Sequence, residues 1–125
     1  MVIAPPQSSG FARQRATKTT SSQALGLAKV TGWVSDPEHP CTIVDDEIVV
    51  AGSSGDATVA VATTGTGTTR LLLSLRVDDV EVAQSTGTGE LVWSGSLSDG
   101  QHLTLWAQRT APVTTTIATA SIDIT

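Results

Sequence analysis

Apolar and polar residues alternate with a period of two along most of the chain after residue 41. Leu71, Leu73 and Leu75 fall on one face of such a segment, and Ser74 and Arg76 fall on the other. Successive side chains of a strand point to opposite faces, so this period predicts strands with one buried face. The helical period of 3.6 residues is not evident in the same region.

Gly-, Pro- and Asp-rich stretches divide the alternating region into short strands. The predicted strands cover residues 42–50, 58–63, 71–77, 80–82, 90–97, 102–109 and 114–125. Asp78-Asp79, between Val77 and Val80, predicts a two-residue hairpin turn. Seven or eight strands at a spacing of about ten residues are typical of sandwiches and jelly rolls. We therefore expect an all-β fold, an antiparallel β-sandwich of jelly-roll or immunoglobulin-like type, over residues 33–125.

Residues 1–32 lack this alternation, and Ser, Thr, Gln and basic residues dominate them. Such a composition cannot bury enough apolar surface to offset the chain entropy lost on folding. Residues 1–29 carry four cations and no acid, whereas the remainder holds three cations and all twelve acids. We therefore expect an extended basic N-terminal arm over residues 1–32 that becomes ordered on a partner. Its expected contact residues are Phe11, Arg13, Arg15, Lys18, Leu25, Leu27 and Lys29.

Catalytic and metal-binding patterns are missing from the sequence. Its two histidines, His39 and His102, and its lone cysteine, Cys41, match neither a nucleophile–base pattern nor a zinc spacing. The Asp45-Asp46-Glu47 run is expected in a strand, where neighbouring side chains point apart and do not share a cation. We expect a protein that is not an enzyme and uses no cofactor or metal. No apolar run is long enough to span a membrane, so no membrane partner is expected either.

Trp106 lies in the alternation opposite Leu103 and Leu105, which predicts an outward side chain. Three interpretations stay open for it: a core or sheet-covering residue, an anchor for a protein interface, or a platform for stacking a sugar. We list Trp106 as a candidate surface anchor. Trp33 is expected to close one end of the sandwich where arm and body meet.

Two segments resemble known proteins. Residues 71–107 contain a strand, a short polar turn, a Gly/Thr loop, a strand with an aromatic residue, and then Leu97-Ser98-Asp99-Gly100-Gln101-His102. This cadence resembles the last half of C1q/TNF-like jelly rolls of bacterial and phage surface proteins, although those usually have Gly-Asp where this chain has Asp99-Gly100. Gly32-Trp33-Val34-Ser35-Asp36-Pro37 and the strand that follows are similar to small β-sandwich virion proteins of actinobacterial phages, such as mycobacteriophage minor tail and capsid-associated proteins.

The resemblance implies a structural role in a virion and provides no catalytic residues to transfer. We expect a capsid decoration or stabilising protein whose arm binds the major capsid protein or other virion subunits. Minor tail protein and carbohydrate- or receptor-binding module are the alternatives. A C1q/TNF-like fold further implies a homo-oligomer, a trimer. The expected location is the virion, assembled in the host cytoplasm, and nucleic acid is not an expected partner because the acidic body would repel phosphates.

Overall fold

The computed structural model describes residues 12–52 and 55–125. These residues fold mainly into β-strands. Within these residues no helix is long and apolar enough to cross a membrane. A short 3-10 turn, Thr68–Arg70, precedes the eighth strand. The strands are β1 (Gln14–Lys18), β2 (Ser22–Gln23), β3 (Ala28–Lys29), β4 (Val34–Ser35), β5 (Thr42–Val44), β6 (Glu47–Val49), β7 (Gly55–Thr66), β8 (Leu71–Val77), β9 (Val80–Thr86), β10 (Glu90–Leu97), β11 (His102–Arg109) and β12 (Thr116–Ile124).

The strands form two antiparallel sheets. Sheet 1 has the order β10-β7-β12-β1-β4, with β2 paired to β12. Sheet 2 has the order β5-β6-β11-β8-β9, with β3 paired to β11. The chain passes from β7 in sheet 1 to β8 and β9 in sheet 2, then alternates through β10, β11 and β12, which is the path of a jelly roll. The predicted all-β antiparallel sandwich is confirmed.

The core lies between the sheets and follows from the period-two pattern. In sheet 2, Leu73, Leu75 and Leu105 are completely buried. In sheet 1, Val59 and Ile122 face them and are at most 1% exposed. Burying one such side chain contributes about 1.5–3 kcal/mol, so this layer is the main stabilising element of the fold.

Paired aspartates form two of the tight hairpin turns. Asp78 and Asp79 have φ angles of 49° and 67°, and they join β8 to β9 as predicted. Asp45 and Asp46, with φ angles of 51° and 59°, join β5 to β6. Two-residue turns with both central φ angles positive match the twist of the flanking strands, and aspartate tolerates that region better than most residues. The prediction of one continuous strand over residues 42–50 is therefore wrong.

The N-terminal segment differs from its prediction. β1 lies inside sheet 1, where Ala16 pairs with Ile122 of β12 on one side and with Ser35 of β4 on the other. Ala16 is completely buried, and the Gln14 amide exchanges two hydrogen bonds with the backbone of Ala51. Residues 14–29, which the sequence placed in an arm ending at residue 32, contribute three strands to the two sheets. Within the described residues, the sandwich therefore includes β1 and does not start at residue 33.

Lys18 occupies an inward position of β1 and is only 2% exposed. Its Nζ donates to Thr20 Oγ1 at 3.3 Å, and burial lowers the pKa of the amine. Gly32 makes room for this arrangement, because a Cβ there would lie 3.2 Å from Nζ and 2.6 Å from Thr20 Oγ1. Burial of the charged amine therefore removes it from water, and this desolvation lowers the stability of the fold.

The position of β1 predicts that the same substitution has a large effect at one site and a small effect at the adjacent site. Ala16→Glu would place a carboxylate in the core and should destabilise the fold by about 3 kcal/mol or more. Thr17→Glu, on the outer face of the same strand, should change the unfolding free energy by less than about 1 kcal/mol. Urea unfolding of both variants measures this difference, and equal tolerance would show that β1 is not held in the sheet.

Lys18→Met should raise the free energy of unfolding by about 1 kcal/mol at pH 7, because a thioether chain of similar length needs no desolvation of charge. Since burial lowers the Lys18 pKa, the cost of the charged amine is present at neutral pH and is relieved as pH rises through the folded-state pKa. The stability gap between variant and wild type should therefore narrow in alkaline buffer. A variant less stable than wild type in thermal unfolding would mean that the contacts of the amine outweigh its desolvation.

Candidate functional site

The outer face of sheet 2 carries a cluster centred on Trp106, here called the Trp106 face: Ser74, Arg76, Thr104, Trp106 and, from β9, Glu81. The alternation along β11 buries Leu103 and Leu105, which leaves Trp106 on the outer side as predicted. Ser74 and Thr104 are only 2% exposed although they also point outward. Larger side chains of the cluster therefore cover them.

Trp106 and Arg76 form a stacked pair. The register places Trp106 opposite Ser74 and Thr104 opposite Arg76, so Arg76 is a diagonal neighbour of the indole. The guanidinium carbon lies 4.3 Å from the indole ring centroid, within the range of a cation–π contact. The indole Nε1 donates to Thr104 Oγ1 at 3.0 Å, which fixes the plane of the ring.

The charge of Arg76 has no carboxylate partner among the described residues. Its Nε atom is buried and has no hydrogen-bond acceptor there. Glu81 lies opposite Arg76 in the β8–β9 register, but its Oε1 accepts a hydrogen bond from Ser74 Oγ at 2.8 Å. The guanidinium therefore retains its capacity to bind an anionic group.

Lys29, Glu47 and His102 form a second polar cluster beside the Trp106 face. Lys29 Nζ contacts Glu47 Oε2 at 3.1 Å and donates to the Asp45 carbonyl at 2.9 Å. His102 Nδ1 lies 3.1 Å from Glu47 Oε1. Hydrogen bonds from Lys29 and then His102 hold the pKa of Glu47 below its ordinary value. Lys29, predicted to contact a partner, thus contacts its own chain.

Arg13 and Arg15 also pair within the chain. Arg13 contacts Asp123 through Nη2–Oδ2 at 2.6 Å and Nε–Oδ1 at 2.9 Å. Arg15 lies 3.3 Å from Asp36 and 3.7 Å from Asp123. The Arg13 hydrogen bond is the main cause of the lowered pKa of Asp123. Together with buried Lys18, these residues leave the predicted arm little free charge, and Phe11 lies outside the described residues.

Leu25 and Leu27, two more of the predicted arm contacts, are exposed, at 50% and 46%. Backbone hydrogen bonds tie Leu25 O to Arg109 N and Ala24 N to Thr115 O, so the 24–27 loop lies beside the 109–115 segment. That segment contributes Val113, which is 44% exposed. We call this end of the sandwich the Leu25 end.

Two cations lie at the Leu25 end. The amide of Thr110 donates to the Arg70 carbonyl, which brings Arg70 beside Arg109. Neither guanidinium forms a salt bridge within the part of the chain that the structure describes. Neither arginine nor Val113 was predicted from the sequence, because their proximity to Leu25 depends on contacts between segments far apart in the chain.

The other tryptophans belong to the sandwich. Trp33 is 6% exposed and donates from Nε1 to the Val30 carbonyl at 3.0 Å. Trp93 packs against the core above Gly95, where a Cβ would lie only 2.2 Å from the ring. Cys41 is half-buried, and burial raises the pKa of its thiol. Trp106 is therefore the tryptophan with an outward role.

No group of three or more His, Cys, Asp or Glu residues is placed to hold a metal ion in residues 12–52 and 55–125. The acidic Asp45-Asp46 and Asp78-Asp79 pairs serve the two hairpin turns. The Asp46 Oδ1 atom accepts from the Gly32 amide at 2.8 Å, and Asp78 Oδ1 accepts from the His102 amide at 3.0 Å. These carboxylates therefore act as acceptors for the backbone.

Asp123→Asn should lower stability by about 1 kcal/mol at pH 7, because two arginines lose their shared carboxylate at a partly exposed site. The lowered pKa of Asp123 means that its contribution is complete at neutral pH and is lost as pH falls below about 4. Thermal unfolding of wild type and variant should therefore give melting temperatures that converge in acid. An undiminished difference at pH 2 would exclude this linkage.

No protein-family model and no curated protein sequence matches the chain. Among solved structures, the chain is similar to the crystal structure of rabbit GITRL, with a TM-score of 0.46 and 13% sequence identity. The match covers 90% of this chain and 92% of that chain.

Proposed function

We propose that this chain is a non-enzymatic assembly protein of a phage virion, most simply a capsid decoration protein that contacts the shell through its Leu25 end. The observation that carries the proposal is that three exposed apolar residues, Leu25, Leu27 and Val113, lie on two segments joined by backbone hydrogen bonds, next to Arg70 and Arg109. Neighbouring apolar side chains on a soluble surface mark protein contacts, and arginine is enriched in interfaces.

This surface replaces the basic arm as the expected point of attachment. Arg13, Arg15 and Lys29 are engaged by carboxylates of their own chain, so they offer little attraction to an acidic neighbour. Apolar burial does not weaken with salt as exposed charge pairs do. Attachment through the Leu25 end should therefore persist in salt that screens surface charges.

The Leu25 end of one subunit is a small surface, so stable attachment requires that several subunits bind at the same time. A homo-oligomer, such as the trimer that the sequence resemblance implies, would present one Leu25 end per subunit. When one subunit of an oligomer binds, the effective concentration of the other subunits at the surface rises, so the overall affinity increases. The proposed partners are the major capsid protein or other virion subunits, and a position in the tail would use the same surface.

The Trp106 face does not favour the carbohydrate-binding alternative. A sugar stacks on an open aromatic ring, whereas Arg76 lies over the Trp106 ring at 4.3 Å. A glycan on that face of the ring would have to displace a cation–π contact worth about 0.5–2 kcal/mol. We therefore place protein assembly ahead of glycan binding.

The virion assignment is tested by isolating particles from a lysate of the phage that encodes the chain. Density-gradient purification and quantitative mass spectrometry should find the chain in the particles at a fixed ratio to the major capsid protein. A chain present in the lysate and missing from intact particles would exclude the virion role.

The Leu25 end is tested by the double substitution Leu25→Ser and Leu27→Ser, measured as binding of purified protein to particles that lack the chain. Loss of two leucine side chains from the contact should weaken binding by roughly ten- to a hundredfold. Val92→Ser is the matched control, because Val92 is 67% exposed on β10 of sheet 1. Equal binding by the double variant and the control would remove the Leu25 end from the interface.

A further inference from the structure

We infer that the Trp106 face is a second docking surface, which binds an extended peptide segment of another protein that presents a carboxylate beside an apolar side chain. Arg76 would bind the carboxylate, and the rim of the Trp106 indole would receive the apolar side chain. This surface is separate from the Leu25 end, because Arg76 and Arg70 lie at opposite ends of β8, about 20 Å apart.

The first support is that no carboxylate of the described residues pairs with Arg76. Arg13, Arg15 and Lys29 each have a carboxylate within 4 Å, whereas Arg76 has none among the described residues, although the chain carries twelve acids. The Arg76 Nε is also buried without an acceptor. A desolvated donor of this kind is costly until an acceptor reaches it, and a carboxylate satisfies a guanidinium through two parallel hydrogen bonds.

The second support is the rigidity of the pair. Trp106 and Arg76 project from β11 and β8, the two central strands of sheet 2 on this side, and both strands are paired on each edge. Thr104 fixes the indole through a hydrogen bond at 3.0 Å, and the cation–π contact holds the guanidinium over the ring. A ligand therefore meets side chains that are already ordered, which reduces the entropy lost on binding.

The third support is the chemistry around the pair. Tryptophan and arginine are the side chains most enriched among interface hot spots. Leu72 extends the apolar part of the same outer face of β8, and Gln84 and Gln108 border it with amides. Glu81, exposed and bonded to Ser74, lies opposite Arg76 and adds a negative charge to this surface, which disfavours a segment with several acids. The surface thus selects a segment with one acid among apolar residues and not a polyacidic one.

The test uses the full chain labelled with ¹⁵N and two blocked pentapeptides, one with a central aspartate flanked by leucines and one with asparagine in its place. The indole N–H resonance of Trp106, assigned by its loss in Trp106→Phe, reports binding. We expect a saturable shift with the aspartate peptide at roughly millimolar affinity, and a response at least tenfold weaker with the asparagine peptide.

Arg76→Gln should abolish the shift, and Arg76→Lys should weaken binding by about tenfold, because lysine keeps the charge and loses the two-pronged geometry. Arg70→Gln is the matched control, since it removes an unpaired arginine at the other end of β8 and should bind as wild type does. A dispersed amide spectrum and a cooperative melt for each variant confirm that a lost shift is not a loss of fold.

Several results would overturn the inference. They are equal shifts with both peptides, an unchanged shift in Arg76→Gln, no shift at all, or a response to a neutral oligosaccharide alone. A dimer in light scattering that disappears in Arg76→Gln would assign the face to a second copy and overturn it too. Particle binding by the Leu25/Leu27 variant uses other residues, so failure here leaves the assembly proposal to its own test.

Discussion

The antiparallel pairing of β12 with β7 on one side and β1 on the other is the interaction on which the rest of the structure depends. β12 is the last described strand and β1 the first, so their ladder joins segments about a hundred residues apart in the middle of sheet 1. Without it, Ile122 and Ile124 would lose their cover, and the leucines of β8 and β11 would have no opposing layer. The same ladder places Asp123 opposite Arg15 and within reach of Arg13, which explains why the basic start of the chain and its acidic body neutralise each other locally.

The sequence predicted those strands in which large apolar residues alternate with polar ones. Leu71, Leu73 and Leu75 identify β8 without any knowledge of their neighbours, and Asp78-Asp79 identifies its turn. β1 could not be recognised in this way, because its inward positions hold Gln14, Ala16 and Lys18, which conceal the period of a strand. Their burial depends on residues distant in sequence, including the backbone of Ala51 and Gly32, whose missing side chain leaves space for the Lys18 amine. The β5–β6 hairpin was missed because two three-residue strands around Asp45-Asp46 read as one longer strand.

The candidate surfaces also contain features that the sequence pattern predicted and features that depend on strand pairing. The outward position of Trp106 follows from alternation within β11 alone, and the exposure of Leu25 and Leu27 agrees with their isolation in the sequence. The Arg76–Trp106 stack, in contrast, requires the β8–β11 register, which pairs residues about thirty positions apart. The partners of Arg13, Arg15 and Lys29 likewise depend on strand order. As a result, the arginines without a salt bridge among residues 12–52 and 55–125 are Arg70, Arg76 and Arg109, all on or next to the central strands β8 and β11 of sheet 2.

The pairing of Gln14 with Ile124 has a geometric consequence for any fusion to this protein. It brings the start of β1 and the last residues side by side at one pole of the sandwich, while Ala24 and Thr115 meet near the opposite pole. The length of β12 separates the poles by about 25 Å. A polypeptide joined after Thr125 would therefore emerge at the pole opposite the Leu25 end, so the sandwich would act as a spacer between the fused polypeptide and anything bound at the Leu25 end.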